Sequence, residues 1–487
     1  MQGQIVRVLL VSVGYACFLA MNSFSLWDFA LLPQQTLGEQ ASSYWRTALS
    51  LVNAFAFLAF AVWSLLRPKT FSKAVFPTAA GFMAATLLLV GLFHLTGSVG
   101  FAACAGACMG VATTACFFCW VGVYASEGVD LAQVEIVAGS VLSAIPFAIF
   151  LTLDRSAIAA TLMVLAVLTL AFLYQYRRTS PMRGIWPDAA ETKACVPAVI
   201  GGTWRVCLCC VVMGIMASVA VVLGSSMFAG LDFVKHSLMV HSQNFVAAIV
   251  VSVMWFAFRR KPDMTRTFMV LFPVLATAFL AFLIVPSARA AVPYLGAVAF
   301  VICSMVVFIE SIVLSKERGW NLGFVYGLCA GVLYVSNALA SLVMGKIGGS
   351  ALGETSMMAA VVVLLYGFSI ALYFITRRPE AAAASAWENV QTSAATVADE
   401  AFAATPEEAS PVDPIDATAR AVGEQAGLTE RQIEVLALLA RGYTIPAAAS
   451  ALYLSENTVR THSKRIYAAL GIHSKQELIE LVADRAS

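Results

Sequence analysis

Residues 428–487 read LTERQIEVLALLARGYTIPAAASALYLSENTVRTHSKRIYAALGIHSKQELIELVADRAS. Apolar side chains recur there at helical spacing in four short runs. The first holds Ile433, Leu436, Leu439 and Ala440, and the second Ala448, Ala449 and Leu452. Val459, Ile466, Ala469 and Leu470 form the third, and Leu478, Ile479 and Val482 the fourth. Helix punctuation falls between them. Thr429 suits the N-cap of the first run and Gly442 its end; Ser455 suits the cap of the third, which Gly471 closes. Ser474 with Glu477 three residues later makes a capping box for the fourth. The pattern predicts four helices on short connections.

The third run carries the chemistry. Asn457, Arg460, Thr461, Lys464 and Arg465 alternate with Val459, His462 and Ile466, which the period assigns to the core. A tight turn at Tyr453–Ser455 precedes them. A recognition helix needs such an outer stripe, because Arg and Lys reach guanine edges or phosphates and Thr touches a thymine methyl. A solvated face of a small bundle would look similar. From Leu428 onward seven Lys and Arg stand against six Asp and Glu, so net charge does not separate the two readings.

The local pattern does. Leu428, Thr429, Arg431, Glu434, Val435, Leu436, Gly442, Ala449, Leu452, Ser455, Thr458, Val459, His462, Ile466, Leu470 and Gly471 all match one family pattern. That pattern opens LT-x-R-E-x-E-V-L, passes a glycine, and closes S-x-x-T-V-K-x-H…I-x-x-K-L-G. The segment resembles the LuxR-type helix-turn-helix of bacterial regulators. It departs at Gln432, where Glu is usual, at Ala448, where Ile is usual, and at Ala469, which removes a Lys and a phosphate contact. Pro446 fits the first turn of the second helix. The resemblance implies double-stranded promoter DNA as partner. It assigns base readout to Arg460, Thr461 and Lys464, backbone contacts to Asn457, Thr458 and Arg465, and homodimerisation on DNA to the fourth helix.

Upstream of this module the chain changes character. Of 487 residues 60% are hydrophobic and 12% charged, about half the charged fraction of a soluble domain. Apolar runs of spanning length lie near 5–27, 45–66, 71–94, 99–125, 134–153 and 157–175, then 204–228, 236–258, 266–286, 290–315, 320–345 and 355–376. About twenty residues at 1.5 Å per residue cross ~30 Å of hydrocarbon. The first run is too long, and too weakly charged ahead of it, for a cleaved leader, and is read as retained.

Twelve spans, divided six and six by residues 177–203, resemble the major-facilitator architecture, whose halves are repeats. The loop after the second span reads LRPKTFSKA and lacks the Gly and Asp of the usual transporter signature. That counts against ordinary transport. With the N-terminus inside, seventeen Lys and Arg fall on the inner side and five on the outer, which puts both termini in the cytoplasm of an inner-membrane protein.

Ionisable and amide groups inside spans mark the ligand pocket to be expected: Asn22, Asn53, His241, Asn244, Glu310 and Asn337. Glu310 also lies near enough to the inner end to pair with Lys316. Asp28, His94 and His236 fall near interfaces, where water satisfies them. So few charges in an apolar cavity suit a small hydrophobic or aromatic ligand. All eleven cysteines precede residue 330, and neither Cys116–Cys119 nor Cys207, Cys209 and Cys210 has a His or carboxylate at ligand spacing; packing is the expected role. Gly106–Gly110 and Gly323–Gly327–Gly331 place glycines four apart, as close helix approach requires. Pro146 and Pro273 lie inside spans as candidate kinks.

Residues 380–427 hold nine acidic residues against one Arg, with Ala, Ser and Pro between, and read as a flexible linker. The expectation is an all-α chain: a polytopic twelve-helix bundle over 1–378, a linker over 379–424 and a four-helix module over 425–487. It reads as a membrane-embedded one-component regulator. A transporter with a regulatory tail, or a module on a passive anchor, are the alternatives. No nucleophile–base pair, metal cluster or phosphate-binding loop suggests an enzyme, and no cofactor is implied.

Overall fold

A backbone in hydrocarbon must bond to itself, and long apolar runs therefore have the helix as their way across. The computed structural model describes residues 2–22, 27, 30–32, 36–127, 129–150, 152–179, 189–228, 233–258, 263–285, 291–347, 362–363, 365–370, 372–373, 414–445, 448, 452, 456–472 and 474–486. The chain divides into two compact units, Met1–Arg377 and Arg378–Ser487. Among the described residues there is no strand.

The first unit contains α1 (Gln2–Met21), α2 (Thr36–Leu66), α3 (Pro68–Thr96), α4 (Val99–Ala125), α5 (Val129–Leu142), α6 (Ala144–Phe150) and α7 (Arg155–Thr179). After the short α8 (Ala189–Ala194) come α9 (Val196–Phe228), α10 (Phe233–Phe258), α11 (Met264–Ile284), α12 (Ala291–Arg318) and α13 (Leu322–Ile347). Among the described residues nine helical segments are long and apolar enough to cross a membrane, and Val6–Met21 and Ser242–Trp255 are shorter apolar helices. Most of the expected twelfth span, 355–376, lies outside the described residues, as do Asp28, Pro286 and 379–413.

Two spans differ from their expected bounds. The first ends at Met21 rather than 27, and the Trp27 indole donates to the Met21 carbonyl at 2.7 Å. The fifth breaks at Ser143 into α5 and α6. Pro146 has no N–H for the Leu142 carbonyl, and the Ser143 hydroxyl donates to Ser140 O at 2.7 Å instead. Pro273, by contrast, sits inside an unbroken α11.

Packing follows a two-fold logic. α2 lies against α4 in its own half and against α13 in the other, while α5 and α6 pack on α1 and on α10. Exchanging the halves turns the second-to-eleventh contact into the eighth-to-fifth. The close approaches run through glycine. A Cβ on Gly106 would stand 2.4 Å from the Trp45 carbonyl oxygen, and one on Gly110 2.8 Å from Leu49 O. Asn53 of α2 fixes the same crossing, donating from Nδ2 to Gly110 O at 3.3 Å, Thr113 Oγ1 at 3.1 Å and Thr114 Oγ1 at 2.9 Å.

Aromatic side chains fill the seam between the halves. Phe57 stacks on Tyr334 with ring centroids 4.9 Å apart, and Tyr124 meets Phe308 edge-on at 5.9 Å. Tyr15 of α1 lies 5.5 Å from both Trp120 and Tyr124 of α4.

The second unit contains α14 (Pro414–Gln425), α15 (Glu430–Ala440), α16 (Glu456–Leu470) and α17 (Lys475–Ala486). Its core joins Ala419, Val435, Leu436, Leu439, Ala448, Val459, Ile466, Leu478 and Val482. Most of the expected second helix of the module falls outside the described residues. The Thr429 N–H donates to Gln432 Oε1 at 2.8 Å, so the Gln that replaces the usual Glu still closes the capping box. Gly442 and Gly471 end α15 and α16 with φ of 90° and 65°.

α14 falls in the stretch expected to be linker. Ala419 and Val422, three residues apart, give its last turns a buried face, and the Arg441 guanidinium donates to Asp416 Oδ2 at 2.8 Å. Arg420 pairs with Glu430. The folded module thus begins near Pro414. A charge count over the whole acidic segment hides a short amphipathic period at its end.

Gly106→Ala should lower the thermal midpoint of the full chain in nanodiscs, since an overpacked crossing costs ~1–3 kcal/mol. Gly91→Ala, where a Cβ would meet nothing within 4 Å, should leave it unchanged or raise it. In the module, partial burial and then the charges of Arg465 and Arg431 hold the His462 imidazole below its usual value of 6.5, and its Nδ1 is buried with no hydrogen-bond partner among the described residues. A group whose folded pKa is depressed stabilises the fold above its unfolded pKa and loses that contribution as pH falls. The urea midpoint of a 410–487 fragment should therefore drop between about pH 7.5 and about pH 5, and His462→Gln should flatten that drop.

Candidate DNA-binding face and buried polar groups

α16 is set by what it buries. Val459 and Ile466 are fully buried, Ser463 nearly so, and His462 is half-buried rather than in the core. The helical register places 457, 461 and 464 opposite that inward stripe, with 460 on one flank and 458 and 465 on the other. Arg465 is exposed. The side chains of Asn457, Thr458, Arg460, Thr461 and Lys464 lie outside the described residues, so the backbone register alone locates them.

Neighbouring bonds hold the helices that carry this face. Arg431 Nη2 donates to Leu452 O at 2.8 Å, tying α15 to the end of the second helix, and also pairs with Glu434. Lys475 Nζ donates to Gly442 O at 2.6 Å, joining the start of α17 to the end of α15. The Glu477 N–H donates to Ser474 Oγ at 3.2 Å, as its sequence spacing predicts. α17 packs on α14 and α15 through Leu478 and Val482.

Among the described side chains, three of the expected pocket residues are bonded to neighbouring helices. Asn53 is consumed by the α2–α4 crossing, and Asn337 Nδ2 donates to Gly214 O at 3.1 Å, locking α13 to α9. Both are inter-helix bonds. Glu310 Oε2 accepts the Met264 N–H at 2.9 Å and so caps the start of α11. Asn22 is half-buried at the end of α1 with Oδ1 unpartnered among the described residues, Asn244 is half-buried on α10, and the His241 side chain lies outside the described residues. The side chains that meet across the seam are Tyr15, Phe57, Tyr124, Phe308, Tyr326 and Tyr334.

Two buried carboxylates escaped the sequence reading. Glu127, in the turn after α4, accepts from Arg7 Nη2 at 2.7 Å and Nε at 3.0 Å on one oxygen. Glu135, two turns into α5, is 0% exposed, and neither of its oxygens has a hydrogen-bond partner among the described residues. The clue was a lone Glu between Val134 and Ile136.

Comparison with known proteins fits this division. The family model described as bacterial regulatory proteins, luxR family, matches residues 426–482. The oxygen regulatory protein NreC of Staphylococcus aureus is 42% identical over 53 residues, which are 11% of this chain. The chain spans about a quarter of the length of that relative, 24%. Among solved structures, a bacterial homologue of the iron transporter ferroportin, in an outward-facing state with soaked iron, superposes with a TM-score of 0.53. It is 11% identical and covers 76% of this chain and 98% of its own. The E. coli fucose:proton symporter FucP gives a TM-score of 0.49 at 12% identity, over 77% and 99% of the two chains. The matched families are a DNA-binding regulator domain and a transporter-like fold, not enzymes. The chain is an all-α, multi-pass membrane protein whose first unit has the major-facilitator-like fold and whose C-terminal module is a LuxR-type helix-turn-helix DNA-binding domain.

Proposed function

We propose that this chain is a membrane-embedded one-component transcriptional regulator. The observation that carries the reading is a LuxR-type module on the same polypeptide as a bundle of membrane-crossing helices. Inner loops rich in Lys and Arg support cytoplasmic termini, and hence access of the module to promoter DNA. α16 enters the major groove with Arg460, Thr461 and Lys464 at base edges and Asn457, Thr458 and Arg465 on phosphates. Two copies pair through the outer face of α17, as in the family the segment resembles. The membrane unit holds two arrangements of its halves, and a signal changes output only through unequal affinity for them. The aromatic seam between the halves favours a small hydrophobic or aromatic ligand, because such rings offer area and orientation with few hydrogen bonds.

Residues 410–487 should select a defined duplex from a random pool. Arg460→Ala and Lys464→Ala should each weaken binding by ~1–3 kcal/mol if the contact is bidentate to a base, and relax selectivity at that position. Unchanged binding by both variants removes the recognition-helix assignment. Replacing residues 1–377 with an unrelated membrane anchor should abolish signal dependence of a reporter while leaving DNA binding intact. Retained signal dependence means that the membrane unit is a passive tether.

A further inference from the structure

The Arg7–Glu127–Glu135 group contains two carboxylates and one guanidinium, and its bonds do not balance. Glu127 uses one oxygen for Arg7 and leaves Oε2 buried and unpartnered among the described residues. Glu135 lies within hydrogen-bonding reach of Glu127, yet two ionised carboxylates have no donor to share. Tyr124, 0% exposed and near enough to feel both carboxyls, has a hydroxyl that bonds to nothing among the described residues. Two buried carboxyls and an idle hydroxyl, with a single guanidinium bonded to them, leave the pair short of a donor.

We propose that Glu127 and Glu135 form a proton-binding site, in which a single proton bridges the two carboxyls and Arg7 balances the charge that remains. The bookkeeping is simple. One proton enters from the side of the membrane where Arg7 and the α4–α5 turn lie. It binds one carboxylate oxygen and supplies the missing donor between the two side chains. On deprotonation the pair carries two negative charges against one guanidinium.

The charged and titratable groups facing the site come from several elements. Arg7 and Tyr15 stand on α1, Tyr124 on α4, Tyr176 on α7 and Lys316 on α12. α6 has no titratable side chain, and the described side chains of α10 carry no charge. Lys316 belongs to the second half of the bundle and faces Glu127. Loss of the proton therefore strengthens an attraction between the halves, and gain of the proton weakens it. Resting on the proposed function and its cytoplasmic N-terminus, the site makes internal acidity a signal the membrane unit reads.

Infrared difference spectra of the full chain in lipid nanodiscs, recorded as pH is stepped between about 9 and about 5, test the site without DNA and so apart from the promoter-binding reading. A protonated carboxyl band should grow as pH falls, and Glu135→Gln should remove it. Arg7→Gln should move its midpoint upward by about one pH unit, a tenfold gain in proton affinity, because the neutralising cation is gone. The Arg7 variant keeps the test decisive if the Glu135 variant does not fold. No titrating band in the wild type, a band that survives Glu135→Gln, or a midpoint unmoved by Arg7→Gln overturns the proposal. So does a response to sodium at constant pH, which indicates a metal-cation site instead.

Discussion

Lipid gives one apolar helix no hydrophobic reason to prefer another, so close backbone contact and buried polar bonds must hold the bundle. The α2–α4 crossing meets that constraint most fully. Gly106 and Gly110 let the Trp45 and Leu49 carbonyls approach to distances that any side chain would block, and Asn53 donates across the gap. α2 fixed in this way then presents Phe57 to Tyr326 and Tyr334 of α13. Gly327 of α13, whose Cβ would fall 2.8 Å from Phe57 O, lets that second contact close. α2 is therefore shared by its own half and by the seam.

The module solves a different problem in water. It has few residues with which to build a core, and α14 adds Ala419 and Val422 to it while Arg441 and Arg420 pin the added helix to α15's surroundings. The family match begins at 426, one residue beyond α14, so this helix lies outside the matched segment. It also packs on α17, the helix assigned to pairing. Any restraint placed on α14 by the chain ahead of it acts directly on the helix that would join two copies.

Much of this was legible in the sequence because strong periodicity leaves little choice. The helix over Glu456–Leu470, the capping residues at Thr429 and Ser474, and the glycine pairs all appear where spacing put them. Span bounds were less legible. α1 ends at the carbonyl that the Trp27 indole bonds, and the break at Ser143 depends on a proline three residues later; neither alters mean apolarity. The polar groups were least legible, since a side chain's partner is a tertiary fact. Asn53, Asn337 and Glu310 read as ligand groups, but they spend their donors or acceptors on Gly110, Gly214 and Met264. Glu127 and Glu135 went unmarked in the sequence, and burial leaves them 8% and 0% exposed. α14 was hidden by the acidic composition around it.

The account needs the module and the chromosome on the same side of the membrane. A fluorescent protein that matures only in the cytoplasm, paired with a phosphatase active only outside it, can be fused after Ser487 in otherwise intact chains. Bright fluorescence with no phosphatase activity is the predicted result. Phosphatase activity without fluorescence would place the recognition helix beyond reach of any promoter and contradict the account at its root.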